Sequence, residues 1–191
     1  MSTALSAYLH LPSRIRAAIR GLDEKGLDLR GGSEGWSVRE TVHHLVEANL
    51  IASNMIIAAL ANDGQEFDWT WVHPNKRWMQ RVGYDVASVE PAIAMLGAIG
   101  RHLAQLLTNR PEALKRTVSL NDTPGAERYT RTIEEILEQE VEHAGGHLGD
   151  VQSIIARGGT APPSAAPRRR TTRRTAKAAA PSRKATPRSR T

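Results

Sequence analysis

Apolar residues recur at three- and four-residue steps in four stretches of the chain, and this spacing predicts four long amphipathic helices. The first stretch is interrupted at Pro12, where the helix either starts or kinks, because proline cannot donate a hydrogen bond to the preceding turn. The apolar positions of the fourth stretch extend from Ile133 to Ile155. The predicted helices run from residue 3 to about 29, from Ser37 to about Ala61, from Asp85 or Ser88 to Arg110, and from Thr132 to Gly158.

Two of the predicted helices begin at a capping box, in which a hydroxyl side chain and a glutamate three positions later each bond a backbone N–H that the helix leaves unpaired. Ser37 and Glu40 form the first of these pairs, and Thr132 and Glu135 form the second. Because capping boxes mark helix N-termini, these two starts are the best defined in the chain.

The segments between the helices show almost no strand pattern, and two of them are long and turn-rich, at about residues 65–84 and 112–129. The first contains Trp69, Trp71 and Trp78, which we expect to hold that segment over one end of the helices. Four amphipathic helices with two longer connections are typical of an all-α protein. The sequence therefore predicts a four-helix bundle, a fold that places metal ligands on facing helices.

The net charge of +6 is unevenly distributed along the chain. From Thr160 onward there are ten Lys or Arg residues, no Asp or Glu, and five of the ten prolines. The preceding residues hold 16 basic and 20 acidic side chains, a net charge of −4. With no apolar face to offset the entropy of ordering, the basic segment is predicted to be disordered. We therefore divide the chain into a bundle domain at residues 1–159 and a disordered tail at residues 160–191.

The chain contains no cysteine, which excludes disulfides, thiolate nucleophiles and cysteine-ligated zinc. Any metal must therefore bind to nitrogen and oxygen ligands. Arg14, Arg16 and Arg20 break up the first apolar stretch, so we expect no signal peptide. No apolar run reaches the roughly 20 residues of a membrane span, and we expect a cytoplasmic protein without membrane contact. A helical bundle of this kind can form a homodimer through an exposed helix face, but the sequence does not identify which face.

His143 and His147 are the strongest chemical signal, because two side chains four positions apart lie on the same face of a helix. They fall at the edge of the apolar stripe of the fourth helix. An unpaired buried polar group costs about 1–3 kcal/mol, so each ring needs a partner. A divalent metal held by both rings is one solution, and a hydrogen bond for each ring is the other.

A second motif lies about a hundred residues earlier, where Trp36-Ser37-Val38-Arg39-Glu40 is followed by His44-Leu45. Together with His143-x-x-x-His147-Leu148-Gly149, this motif resembles the DinB-like (YfiT-like) metal-binding four-helix bundles over roughly residues 5–157. The resemblance implies that one histidine of the second helix and the H-x-x-x-H pair of the fourth bind a divalent metal. In this sequence those residues are His44, His143 and His147.

His43 competes with His44 for the first ligand position, since adjacent residues point about 100° apart on a helix and the periodicity does not decide between them. The family register, with histidine directly before leucine, implies His44. Three imidazoles without a fourth protein ligand leave open coordination positions, as a reacting site requires. Nitrogen ligands favour zinc, nickel, iron or copper over magnesium or calcium.

Two carboxylates are candidates for catalytic support. Glu47 lies one turn after His44, where the family also has an acidic residue, and is predicted to orient a ligand ring or relay a proton. Glu140 lies one turn before His143 near the middle of the apolar stripe. A carboxylate there needs a metal, a ring N–H or an arginine such as Arg101. The alternative for both carboxylates is solvent exposure or a surface salt bridge.

Two further positions bear on this site. Asp150 stands where many relatives have a glutamine after the last ligand, so the chain departs from the family there. His73, in the tryptophan-rich segment, is a candidate for an open coordination position, and the alternative is the solvated ring typical of loop histidines.

The resemblance implies a divalent-metal-dependent enzyme that acts on a small molecule, either a hydrolase or a transferase that uses a low-molecular-weight thiol of the mycothiol or bacillithiol type. The alternative is a non-catalytic metal-binding or stress-response protein, which a fourth protein ligand such as Glu140 would indicate. The tail at residues 160–191 is predicted to bind nucleic acid without sequence specificity, through the phosphates. A solubilising extension is the alternative for the tail.

Overall fold

The computed structural model describes residues 2–158, whose long helices pack as a four-helix bundle. The predicted tail at residues 160–191 lies outside the described residues. One member of the bundle is the α1–α2 pair, and the others are α4, α6 and α7. The helices are α1 (Thr3–Leu9), α2 (Leu11–Ala18), α3 (Glu24–Leu27), α4 (Val38–Ala61), α5 (Lys76–Val82), α6 (Val89–Leu107) and α7 (Ile133–Ala156), with a 3-10 helix at Pro111–Lys115.

The starts of α4 and α7 are the capping boxes that the sequence predicts. Ser37 Oγ accepts a hydrogen bond from the Glu40 N–H at 3.1 Å, and Glu40 Oε2 accepts one from the Ser37 N–H at 2.7 Å. Thr132 and Glu135 repeat this exchange at the start of α7. An N-cap of this kind contributes about 1 kcal/mol, and the two caps fix the register of the helices that carry the three candidate ligands.

The interruption predicted at Pro12 is confirmed, but the extent of the first helix to about residue 29 was wrong. The chain forms α1, breaks at His10, forms α2 with Pro12 in its first turn, and leaves the helix at Ile19. Gly21 then adopts a φ of +79°, a left-handed conformation that glycine reaches without steric cost. Apolar periodicity continues across these breaks because both helices face the same core.

A small three-stranded sheet, which the sequence analysis did not predict, lies against α4 and α7. Its strands, in spatial order, are β1 (Gln65–Asp68), β2 (Thr117–Asn121) and β3 (Tyr129–Thr132). The β1–β2 pair is parallel with Gln65 opposite Val118, and the β2–β3 pair is antiparallel with Thr117 opposite Thr132. Strands of four or five residues give too short an alternation to be recognised in sequence. The buried side chains of β2 therefore add a wall to a mainly helical core.

Helix α4 is the central helix of the bundle. Within residues 2–158 it is the one helix long and apolar enough to cross a membrane by length and composition, and 56% of that window is buried inside the protein. A buried, apolar helix is expected at the middle of a bundle, where it contacts other helices on several sides. His44 therefore lies on the most enclosed element of the fold.

Candidate metal centre

Three histidine rings from two helices meet in the bundle. His44 comes from α4, while His143 and His147 come from successive turns of α7. One nitrogen of each ring lies within 4.8 Å of the nitrogens offered by the other two, and His44 Nε2 is 3.2 Å from His143 Nε2. Two nitrogen ligands of a tetrahedral zinc ion are separated by about 3.3 Å, given Zn–N distances of about 2.0–2.1 Å. The spacing of the His44 and His143 nitrogens therefore already fits a divalent metal. The other nitrogens, which lie within 4.8 Å, would have to move closer together to share the same ion.

Burial favours the uncharged form of two of these rings, His44 and His147, by lowering their pKa. Burial, and then the neighbouring His143 and His147, lower the pKa of His44 to about 3. Burial and His143 also lower the pKa of His147, against a weaker opposing effect of Asp150. Neutral imidazole is the form that donates a lone pair to a metal. His44 and His147 therefore present metal-binding nitrogens at neutral pH without first losing a proton.

Two of the three rings have a carboxylate near the nitrogen that faces away from the cluster. Glu140 Oε2 is 3.7 Å from His143 Nδ1, and Asp150 Oδ2 is 3.9 Å from His147 Nδ1. Metal-binding histidines usually donate this second N–H to a carboxylate or carbonyl, which fixes the ring. Both distances exceed that of a hydrogen bond, so Glu140 and Asp150 are neighbours of these rings and not their hydrogen-bond partners.

Glu140 lies at the site without joining the ligand cluster. The cluster found among residues 2–158 consists of the three histidines alone, and Glu140 Oε2 is a buried oxygen with no hydrogen-bond partner there. Arg101, one of the partners considered for Glu140, instead lines a separate groove on the α2–α6 side of the molecule. A coordination sphere formed by the three rings therefore keeps open positions.

Trp36 covers one side of the cluster, a contact that the sequence analysis did not identify. Its ring centroid is 4.6 Å from that of His44 and 5.7 Å from that of His147, which it stacks against at 28°. The residue directly precedes the cap of α4, so the capping box also fixes where this indole lies. In the sequence, the capping motif indicates where Trp36 lies relative to α4. It contains no information about the contact of Trp36 with α7.

His43 is not part of the cluster. Its Nε2–H donates to the Ala87 carbonyl at 3.2 Å, and its ring stacks on Tyr84 at 4.8 Å with an angle of 5° between planes. The side chain is buried, so His43 is not a solvated surface ring. The two adjacent histidines therefore face different neighbours, with His44 towards α7 and His43 towards the segment before α6.

Glu47 holds the α5 segment against α4. Trp78 Nε1 donates to both carboxylate oxygens at 3.1 and 3.2 Å, and the Tyr84 hydroxyl donates to Oε1 at 3.3 Å. Burial raises the pKa of Glu47, and these two donors oppose that rise. Glu47 is thus neither exposed nor in a surface salt bridge. Its hydrogen-bonding partners in the described part of the chain are Trp78 and Tyr84, so the structure ties it to α5 instead of to a histidine ring.

Replacing Trp78 with phenylalanine is expected to loosen α5 from the bundle. The indole donates to a partly buried carboxylate, and hydrogen bonds to charged groups contribute about 1.5–3 kcal/mol. Amide hydrogen exchange in α5 should accelerate at least tenfold while exchange in α4 and α7 stays unchanged. Trp71→Phe is the matched control, because Trp71 is 59% exposed. Unchanged exchange in α5 would show that Glu47 does not hold this segment.

A cavity of about 340 Å³ adjoins the rings of His44 and His143. Along α4 its lining residues run from His44 to Met55, and along α7 they run from His143 back to Ile136. Trp69, which packs against the core, also lines it. Residues of the tryptophan segment thus form part of the cavity wall, while Trp71, which was expected to hold the segment in place, is exposed. His73, the other candidate from this segment, is exposed and does not belong to the cluster or the cavity wall.

Comparison with known proteins supports a family relationship. A family model described as the DinB superfamily matches residues 7–151. A relative from Geobacillus kaustophilus, named provisionally as a metal-dependent hydrolase, is 29% identical over 117 residues, which are 60% of this chain and 63% of that protein. A similarly named protein from Geobacillus thermodenitrificans is 27% identical over 57% of this chain and 60% of its own length. The chain thus spans less than two thirds of the length of either relative.

Two further similarities cover more of the chain. YfiT of Bacillus subtilis, also named provisionally as a metal-dependent hydrolase, is 25% identical over 150 residues, which are 78% of this chain and 80% of that protein. Its solved structure, described as an unusual four-helix bundle topology, superposes with a TM-score of 0.70 at 19% identity. That superposition covers 84% of this chain and 91% of the other. At this identity the structural likeness establishes the fold.

Proposed function

The chain belongs to the DinB superfamily, and from this premise we propose that it is a metal-dependent hydrolase of small molecules, with a divalent ion bound by His44, His143 and His147. The observation that carries this proposal is the convergence of three imidazole nitrogens within 4.8 Å beside a cavity of about 340 Å³. The provisional names of the relatives support it. An all-nitrogen donor set favours zinc, nickel or iron.

A bound divalent ion would supply Lewis acidity, polarising a substrate carbonyl and lowering the pKa of a coordinated water. The chain's own residues supply the rest of the chemistry. Glu140 is placed to accept the His143 Nδ1–H and so to fix that ring, while its remaining lone pairs stay available to a proton. In such a hydrolysis the oxygen of a water molecule would bond to the acyl carbon and the bond from that carbon to the leaving group would break, while Glu140 would take a proton from the water and give it to the leaving group.

The other side chains position these groups. Trp36 covers the ring faces of His44 and His147, so solvent is kept from that side of the cluster. Glu47, already engaged by Trp78 and Tyr84, holds the α5 segment beside the cavity. We therefore assign Glu140 as the catalytic carboxylate and Glu47 as a positioning residue.

The test is turnover of small esters and amides by the full-length protein after loading with zinc, nickel or iron. We expect hydrolysis that a chelator abolishes and the metal restores. Glu140→Gln should lower kcat by about 10²–10⁴-fold with the metal retained, since a positioned general base contributes that much. Glu142→Gln is the matched control, because Glu142, two positions further along α7, is exposed. Equal activity of wild type and Glu140→Gln would remove Glu140 from the mechanism, and metal-loaded protein inactive on the whole panel would contradict the hydrolase.

Transfer of a low-molecular-weight thiol is the alternative reaction at the same site. It is supported by the open coordination positions, since a metal ion deprotonates a thiol that binds to it. The two carboxylates that line the cavity, Glu47 and Glu140, weigh against a thiol with additional negative charges. The screen therefore includes small electrophiles with and without thiols. If the protein consumes an electrophile only when a thiol is present, and hydrolyses nothing without the thiol, it is a transferase and not a hydrolase.

A separate proposal concerns the tail at residues 160–191, whose ten basic residues and lack of acidic ones favour contact with nucleic-acid phosphates. Such binding is sequence-independent and weakens steeply with salt. Deleting the tail should abolish binding of duplex DNA in low salt and leave the metal content unchanged. Retained binding by the shortened protein would assign it to the bundle.

A further inference from the structure

The charges around the cavity are all of one sign. Glu47 and Glu140 line it, and no lysine or arginine of the described chain does so. Buried charges interact more strongly than exposed ones, because little water screens them. A negatively charged ligand would enter this space without a cationic partner and next to carboxylate oxygens. The protein wall of the cavity, without a metal ion, therefore disfavours anions and favours neutral or positively charged molecules.

The polar and apolar parts of the cavity wall are segregated. The charged residues and the histidines occupy the His44–Glu47 end of the α4 wall and the Glu140–His143 end of the α7 wall. Two to three turns further along the helices the wall is formed by Ile51, Met55 and Ile136, with Leu120 contributed by β2. The cavity thus fits a molecule with one polar end, directed at the histidines, and an apolar body.

Glu140 is the acceptor that remains available at the polar end. Both oxygens of Glu47 already accept hydrogen bonds from the Trp78 indole, and Oε1 also accepts one from Tyr84. Glu140 lines the same end of the cavity, and its side chain is 13% exposed. Its Oε2 is buried without a hydrogen-bond partner among the described residues, so the carboxylate gains a donor if it turns towards a ligand N–H in the cavity. A carboxylate also has enough lone pairs to accept from His143 and a ligand together.

We propose that this cavity binds a small amine with an apolar body, its N–H group donating to Glu140 and its apolar part lying between α4, α7 and β2. The substrate class of the hydrolase is then an amine-bearing compound or the amide that releases one. This assignment rests on the proposed function in one respect, since it takes the cavity as the substrate site. The binding preference itself follows from the cavity wall and does not require the metal.

The test compares three ligands of nearly equal shape and different charge, namely 2-phenylethylamine, 2-phenylethanol and 3-phenylpropionate. Binding to the full-length protein is measured by calorimetry, with zinc bound and after chelation. The chelated arm is needed because a carboxylate also coordinates zinc directly. In that arm the amine is expected to bind at least tenfold more tightly than the propionate, with the alcohol between them.

Two pairs of variants locate the binding. Glu140→Gln should reduce the preference for amine over propionate at least tenfold, while Glu142→Gln, the same change at an exposed position, should keep it. Ala48→Phe places a ring in the cavity wall and should weaken all three ligands at least tenfold. Ala98→Phe, at an exposed position on α6 outside that wall, should weaken none.

The outcomes separate this inference from the proposed function. Equal or tighter binding of the propionate to chelated wild type, or an unchanged preference in Glu140→Gln, would overturn the amine assignment. Metal content is measured on the same samples. Amine preference in a protein that never holds metal would refute the hydrolase and retain the amine-binding site. A metal-loaded protein with no amine preference would refute the amine-binding site and retain the hydrolase.

Discussion

Replacing His44 with alanine is expected to lower the bound metal from about one ion per chain to a small residual fraction. His143→Ala and His147→Ala should do the same, because each removes one of three nitrogens that lie within 4.8 Å of one another. Loss of an outer partner of a metal ligand typically costs 10–100-fold in metal affinity, so loss of a direct ligand should exceed about 100-fold. Elemental analysis of the reconstituted proteins after removal of free metal measures this effect.

His43→Ala is the control for that experiment. It removes the same side chain one position earlier on α4, where the ring bonds Ala87 and stacks on Tyr84 instead of facing α7. This variant should retain the full metal content. If the His43→Ala protein lacks metal and the His44→Ala protein holds it, the metal ligand on α4 is His43 and not His44. If all four variants hold as much metal as wild type, the ion binds elsewhere in the chain.

Saturation with zinc is expected to raise the thermal midpoint of the bundle by about 8–16 °C. A ligand that binds only the folded state at a free concentration of about 1,000 Kd stabilises it by about 4.1 kcal/mol. For a chain of this size 1 kcal/mol shifts Tm by about 2–4 °C. The ion would join α4 to α7, because His44 is 99 residues from His143 in the sequence. Calorimetry with zinc and with a chelator measures the shift.

The same melting experiment on His147→Ala should show a shift below about 3 °C, because the remaining rings bind zinc too weakly to be saturated. Magnesium should give no shift with wild type, since it prefers oxygen ligands. A large zinc shift in His147→Ala, or an equal response to magnesium, would mean that the stabilising ion does not occupy the histidine cluster.

The long helices were predictable because their determinants are local. Apolar spacing and the capping pairs at Ser37 and Thr132 involve residues a few positions apart, and the structure confirms both starts. The break before α2 was indicated by Pro12, whereas the end of α2 and the turn at Gly21 depend on single backbone conformations, which periodicity does not contain. The β1–β2 pairing joins short segments more than fifty residues apart, so its hydrogen bonds had no readable sequence pattern.

The candidate site divides in the same way. His143 and His147 lie one turn apart, so their helix alone brings them together. The choice of His44 over His43 required the family register. The ligand has to face α7, and the apolar spacing along α4 does not show which of the two histidines does so. The contacts of Trp36 with His147 and of Trp78 with Glu47 cross between elements, and neither was predicted. The tertiary packing of the bundle determines those contacts.

The ring contact between His44 and His143 joins positions 99 residues apart. Contacts with such a separation depend on closing a long loop, so this pair forms only after α4 and α7 have docked. An ion bound there would stabilise the native state and leave the folding transition state unchanged, which slows unfolding without accelerating folding. Metal supply would then set the lifetime of the folded chain, and with it the rate at which proteases that act on the opened form can remove it.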